Sequence, residues 1–192
     1  MSKGKPPFQH NDSGPCLNVG CGTWHFSSPW VNADVVKQWP GAPEADEVWD
    51  ARGAWPAADE TYAAVFMGHL LQHVERQFHA NLLAEARRVL RGNWAPPLLR
   101  YKPELIVCEV DMDIVFPLFL ADPSDTTMHE LIWGEQGRSH GQEFTSFDIH
   151  VHGFTEKSLT RVLEHAGFAV IERFNFHHPD VWYELSLRAR PV

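Results

Sequence analysis

The chain has 192 residues, 44% of them hydrophobic, enough for one well-filled domain and too few for two comfortable ones. Its 25 acidic residues against 16 basic ones give a formal charge of −9 with no run of lysines or arginines, which argues against nucleic acid as a direct partner. No apolar run approaches the ~20 residues of a membrane-spanning helix, and Cys16, Cys21 and Cys108, odd in number and in no metal-knuckle spacing, read as reduced thiols of a cytoplasmic protein.

Residues 1–15 lack the apolar centre of a signal peptide and read as a loose leader to a domain over 16–192. Leu17 to Val19, stopped by Gly20, predicts a short strand, and Val31 to Val36 a second. Glu47 to Asp50 is a weaker third. Ala63 to Met67, ended by Gly68, is a continuous apolar run of the kind covered on both faces. A helix follows: Phe78, Leu82, Leu83, Ala86, Val89 and Leu90 share one face, Glu85, Arg87 and Arg88 lie off it, and Gly92 marks the stop.

Leu105 to Val110 predicts a fifth strand. Thr155 caps a last helix with Leu159, Val162, Leu163 and Ala166 on one face and Gly167 at its left-handed end. Phe168 to Phe174 and Val181 to Leu187 are two further strands joined by a short turn, close enough in sequence to pair antiparallel. Strands alternating with helices and ending in a hairpin predict an α/β domain whose sheet is mostly parallel, with an antiparallel C-terminal edge strand. Residues 116–153 show no sustained period and are rich in His, Asp, Gly and aromatics, so they are expected to form a lid or substrate-binding insertion.

A strand, then Gly20-Cys21-Gly22, then Asp34 at the end of the next strand is what adenosine recognition requires. Glycines let the backbone approach a ligand, and a carboxylate accepts from the two ribose hydroxyls. Taken singly, the glycine pair is equally a plain tight turn, and Asp34 and Asp50 are equally solvated strand-end acids.

Further along, the chain resembles the class I S-adenosylmethionine (SAM) dependent methyltransferases, particularly short members with an abbreviated first helix. Leu17-Asn-Val-Gly-Cys-Gly22 is similar to the family's first motif, and Val31-Asn-Ala-Asp34 to its second strand with the ribose-binding acid. Asp50-Ala51 before Trp55-Pro56 and Asp59 resembles the adenine-contacting segment, and Val65-Phe-Met-Gly-His-Leu-Leu-Gln-His-Val74 the fourth strand and its sequel. Leu83-Ala-Glu-Ala-Arg-Arg-Val-Leu-Arg-Gly92 and Leu163-Glu-His-Ala-Gly-Phe168 resemble later helix endings.

The resemblance implies a single-domain Rossmann-like methyltransferase fold with SAM as cofactor. It implies cofactor contacts at Asn18, Gly20, Cys21, Gly22, Asp34, Asp50, Ala51, Gly68 and His69. The chain departs from the pattern in lacking the third glycine of the usual loop and in having Ala63 where an aspartate usually opens the fourth strand. Only 14 positions separate Gly20 from Asp34, too few for a helix of ~11 residues and a strand of ~5, so residues 23–29 are expected to be a turn or a stub of helix. SAM carries a sulfonium and no phosphate, so losing an anion-binding helix terminus matters less than it would for a dinucleotide.

Twelve histidines invite a metal, and His150 and His152 share one side of an extended chain, but no acid or cysteine lies at matching spacing. No metal is expected. His69, directly after the fourth strand, is a candidate catalytic base or a packing residue under the cofactor. His152, before Gly153-Phe-Thr155, resembles the family's lead into the last helix and is either catalytic and substrate-binding or a packing group there. Trp133, Gln136 and His150 either line an acceptor pocket or close the lid. The acidic charge, with no Pro-Pro-aromatic or Pro-Cys motif of nucleic-acid methyltransferases, favours a small-molecule acceptor and leaves a homodimer open. The expected activity is methyl transfer to an O, N or C centre. The alternatives are a catalytically silent SAM-binding module of the same fold and, third, a metal-dependent hydrolase.

Overall fold

The computed structural model describes residues 14–91, 102–134, 149–174 and 183–192. Seven strands form one sheet: β1 (Cys16–Val19), β2 (Trp30–Asp34), β3 (Glu47–Val48), β4 (Ala64–Gly68), β5 (Glu104–Val110), β6 (Phe168–Phe174) and β7 (Glu184–Pro191). Their order is β3-β2-β1-β4-β5-β7-β6, with β7 antiparallel to both neighbours and the pairs among β1 to β5 all parallel. The reversed strand anticipated from the terminal hairpin is therefore present, one place in from the edge, with β6 outermost. The expected turn between β6 and β7 lies outside the described residues, and β7 runs further toward the C-terminus than its apolar run indicated.

Alternation along the strands divides the core in two. Leu17, Val19, Val65, Met67, Leu105 and Val107 pack in one cluster with Leu82, Leu83, Ala86 and Val89 of α1 (Arg76–Val89) and Leu159 and Leu163 of α4 (Glu156–His165). Between them stand Cys16, Ala64, Phe66, Ile106 and Cys108, which form the second cluster on the other face. α4 begins in a capping box of Thr155 and Ser158 and ends before Gly167 at φ +82°, as the sequence pattern foretold.

Among the described residues, no such helix covers β1 and β4 on the second face. Its cover is made of side chains from the connection between β1 and β2. Phe26 meets Phe66 edge-on at 5.1 Å between ring centroids, and Trp30 meets Phe26 at 5.1 Å and Phe66 at 6.5 Å. A non-helical segment must satisfy its buried backbone by other means, and two asparagines supply them. Asn32 Nδ2 donates to the Phe26 carbonyl (3.0 Å) and its Oδ1 accepts from the Phe26 amide (2.9 Å). Asn18 Nδ2 donates to the Trp24 carbonyl at 2.6 Å. Asp46 Oδ2 in turn accepts from Asn32 Nδ2 and from the Asn32 amide.

The insertion expected to be irregular begins with two helices, α2 (Met112–Ala121) and α3 (Thr126–Trp133), which correct the reading of its first half. Asp111 and Asp125 cap them by accepting from amides of their first turns. The helical period is invisible in α2 because Phe116, Leu118, Leu120 and their neighbours are apolar all round and Pro117 interrupts the pattern. Val110, Met112, Val115, Met128 and Ile132 form a small third core beneath this hairpin, beyond the end of β5.

Candidate functional site

The carboxyl ends of β1, β2 and β4 open into a cavity of about 390 Å³. Gly20 and Gly22 both have positive φ, +65° and +51°. A Cβ on Gly20 would approach Leu70 Cδ1 to 2.7 Å, so glycine is required there by space as well as by backbone angle. At Gly22 a Cβ would meet nothing within 4 Å.

Asp34 ties the turn to the end of β2. Its Oδ2 accepts from the Gly22 amide at 2.8 Å and its Oδ1 from the Val36 amide at 2.9 Å, and the residue is 6% exposed. Cys21 also lines the cavity, but burial, reinforced by the Asp34 charge, pushes its thiol up to about 12, so it stays protonated at neutral pH and is no nucleophile.

Farther along the wall, Asp50 is clamped by Arg52. Oδ1 accepts from the Arg52 amide and Nε, and Oδ2 from Nη2 at 2.7 Å. This hydrogen bonding holds the Asp50 carboxyl below its ordinary range. Ala51, Trp49 and Trp39 complete this end, and the Trp39 Nε1 is buried with no hydrogen-bond partner among the described residues.

His69 closes the other end, with Gly68, Leu70 and His73. Its backbone is left-handed, φ +53°, a conformation that costs a residue with a Cβ on the order of 1–3 kcal/mol. A 2.7 Å bond from its amide to the Cys108 carbonyl holds it there. The ring stands edge-on to Trp24, and Nε2 lies 3.1 Å from Glu184 Oε1.

The turn of 3-10 helix at Leu71–His73 forms the adjoining rim. Glu109, fully buried, accepts from the Leu71 and Gln72 amides; burial pushes its carboxyl up to about 7 against the opposing pull of His69 and those amides. Gln72 Oε1 accepts from the Val110 amide, while its Nε2 donates to His150 Nε2 at 2.8 Å. His150 Nδ1 donates to the Leu131 carbonyl of α3, and burial, then His73, lowers this imidazole to about 4.

Gly20, Cys21, Gly22, Asp34, Asp50, Ala51, Gly68 and His69 thus all meet on one cavity wall. Asn18 does not: it is 1% exposed and spent on the loop backbone. His152 packs edge-on against His79 at 5.0 Å between ring centroids, its imidazole held below the ordinary range by burial first and by His79 next, and it is not part of the cavity wall. Trp133 packs against Phe119 and His129 within the α2–α3 hairpin, and His150 braces the rim from outside. Gln136 lies outside the described residues. Sequence reasoning missed Trp24, Trp39, Trp49, Arg52, His73 and Glu184; the first five sit beside motif positions, whereas Glu184 reaches His69 from 115 residues away. Among the described residues no group of three or more His, Cys, Asp or Glu is arranged to hold a metal ion, and no helix is long and apolar enough to cross a membrane.

No family model matches the chain, and no curated protein matches it in sequence. Its fold does have counterparts. A SAM-dependent methyltransferase from Methanosarcina mazei superposes with a TM-score of 0.62 at 16% identity, covering 93% of this chain and 92% of its own. A SAM-dependent methyltransferase of Thermotoga maritima, described as a possible histamine N-methyltransferase, gives 0.58 at 16% over 92% and 82%. The 1,6-didemethyltoxoflavin N1-methyltransferase of Burkholderia thailandensis, with 1,6-didemethyltoxoflavin and S-adenosylhomocysteine bound, gives 0.57 at 13% over 93% and 72%. The chain has the Rossmann-like fold of the class I SAM-dependent methyltransferases.

Proposed function

We propose that the chain binds SAM in this cavity and transfers its methyl group to an O, N or C centre of a small-molecule acceptor. The observation that carries the reading is the junction of Asp34 and Gly22, a strand-end carboxylate one hydrogen bond from a left-handed glycine in a cavity of about 390 Å³. That volume lies within the roughly 300–1,000 Å³ usual for cofactor sites. The residues fit the group: Gly22 borders open space, and the Trp39 indole offers a buried donor with no partner among the described residues.

When bound, SAM supplies an activated methyl on a sulfonium. The protein's share is alignment, exclusion of water and removal of a proton where the acceptor carries one. Asp34 accepts from the ribose hydroxyls through the lone pairs its backbone bonds leave over. Trp39, Trp49 and Ala51 flank the adenine, and Asp50, steadied by Arg52, accepts from its amine. His69 stands at the reactive end. Of the segment 116–153, the described helices α2 and α3 serve the acceptor side, joined to the cavity rim through His150 and Gln72; residues 135–148 lie outside the described residues. The choice of a small acceptor is supported by the Burkholderia neighbour, which holds 1,6-didemethyltoxoflavin together with S-adenosylhomocysteine.

Calorimetric titration with S-adenosylhomocysteine tests the reading. Asp34→Ala removes a charged acceptor worth about 1.5–3 kcal/mol, so affinity is expected to fall about ten- to a hundredfold. No binding to the wild-type chain, or unchanged affinity in a folded variant, would sink it.

A further inference from the structure

We propose that His69 and Glu184 form a proton-accepting pair, so that the methylated atom is an oxygen or nitrogen that gives up its proton to His69, with Glu184 as the positioning residue. The inference rests on the methyltransferase reading above and narrows its acceptor to hydroxyl and amine compounds.

Three features point to the pair. His69 is held in the left-handed region, an unusual conformation for a residue with a Cβ, and its ring borders the cavity. Its Nε2 lies 3.1 Å from Glu184 Oε1, which leaves Nδ1 without a partner among the described residues. Glu184 is buried, its side chain 3% exposed, and its Oε2 has no partner among those residues. A structural tie between β4 and β7 would be expected to use both oxygens of so deeply buried a carboxylate. Among the described residues the carboxylate has one partner, and that partner is an imidazole bordering a cavity.

A carboxylate that accepts Nε2–H fixes the tautomer in which Nδ1 carries a lone pair, and it stabilises the imidazolium that forms when Nδ1 takes a proton. In the transfer, the acceptor's heteroatom forms a bond to the methyl carbon as the sulfonium–carbon bond breaks. The electron pair of that bond stays on sulfur, giving neutral S-adenosylhomocysteine. The acceptor's proton passes to His69 Nδ1 and later to water. Trp24, edge-on to the same ring, limits its rotation. Besides Glu184, the titratable groups around His69 are Glu109 and His150, on both of which the charge of His69 acts, and His73 on the same cavity rim.

Nitrogen-15 NMR of histidine-labelled protein saturated with S-adenosylhomocysteine reads the tautomer directly, with His69→Gln assigning the signals. The expected result is a protonated Nε2 and a bare Nδ1 in the wild type. That state should be lost to a mixture of tautomers in Glu184→Leu and restored in Glu184→Gln, whose amide oxygen still accepts. A protonated Nδ1 in the wild type overturns the proposal, since His69 could then only donate. So does an unchanged tautomer in Glu184→Leu. If Glu184→Leu does not fold, the wild-type and Glu184→Gln spectra still decide it. Calorimetry on the same sample separates the two levels: cofactor product bound with the wrong tautomer fails this inference alone, whereas the right tautomer with no binding fails the reading beneath it.

Discussion

Between Trp24 and Phe26 the loop wall of the cavity is hung on two side-chain amides, backed by the carboxylates of Asp34 and Asp46, whereas the rim at Leu71–His73 is hung on a buried carboxyl and an imidazole. Asn18 and Asn32 grip the backbone between Trp24 and Phe26, and Phe26 and Trp30 fill the space over Phe66. Glu109 and His150 grip the rim, the first through two backbone amides and the second through Gln72. One sheet thus presents a ligand with one boundary gripped chiefly by side-chain amides and one whose fastenings, Glu109 and His150, have shifted titrations. The amides also stand in for a helix: a helix satisfies its own backbone, and a connection of 14 positions must borrow side chains to do so.

The sharpest way to break this contrast is at the base of the loop wall. Phe66→Ala empties the space that Phe26 and Trp30 close over, and should cost about 3–5 kcal/mol in urea unfolding. Leu82→Ala on α1 should cost about 2–5 kcal/mol and leave S-adenosylhomocysteine affinity intact, because Leu82, on the face opposite Phe66, does not line the cavity. Equal loss of affinity in both would show that the two faces do not act separately.

On the rim, two opposed titrations are expected. His150 is held near 4, below its ordinary 6.5, so the unfolded chain takes up the proton first and stability falls as pH drops from 6.5 to 4. Glu109 is raised from 4.5 to about 7, so its contribution is complete below 4.5 and is lost as pH rises through 7. Each is worth on the order of 3 kcal/mol at 1.36 kcal/mol per pH unit, and between 4.5 and 6.5 they offset one another. His150→Gln keeps a donor and an acceptor but removes one titration. Its stability relative to the wild type should therefore climb by about that amount as pH falls from 6.5 to 4, measured by denaturant midpoints across pH. Parallel curves for the two proteins would mean that the rim is not fastened by His150.

The smallest effect is expected at Asn32. Asn32→Ala strips both partners from the Phe26 backbone and should cost about 2–3 kcal/mol. Unlike Leu82→Ala, it should weaken S-adenosylhomocysteine binding in the folded protein, since the freed loop carries Gly22. Calorimetry showing full affinity would detach the loop from the ligand.

Much of this arrangement was legible in the residues because alternation and helical spacing are local. Leu17 and Val19 against Cys16, or Thr155 and Gly167 at the ends of α4, state their surroundings within a few positions. The count between Gly20 and Asp34 likewise excluded a full helix, leaving a turn or a stub, but did not show what would replace it, because Phe26 reaching Phe66 is a contact across the chain. α2 escaped notice for the opposite reason: a helix apolar on every side carries no period to read. Asn18 and His152 look like site residues in a motif and lie off the cavity wall in space, since a pattern fixes where the backbone passes and leaves the side chain's partner undetermined. Glu184 sits in a strand like any other buried acid until the sheet brings it to His69.

Trp24, Trp39 and Trp49 border a single cavity, one beside the imidazole and two toward the far end. Indole emission responds to its immediate surroundings, so the protein carries its own optical gauge of occupancy. A flat base settling near Trp39 or Trp49 should dim their light, and a molecule lodged beside Trp24 should alter a different part of the spectrum. Replacing the three in turn with phenylalanine would give each end of the cavity a separate signal, readable at nanomole scale without a label and before any acceptor has been identified.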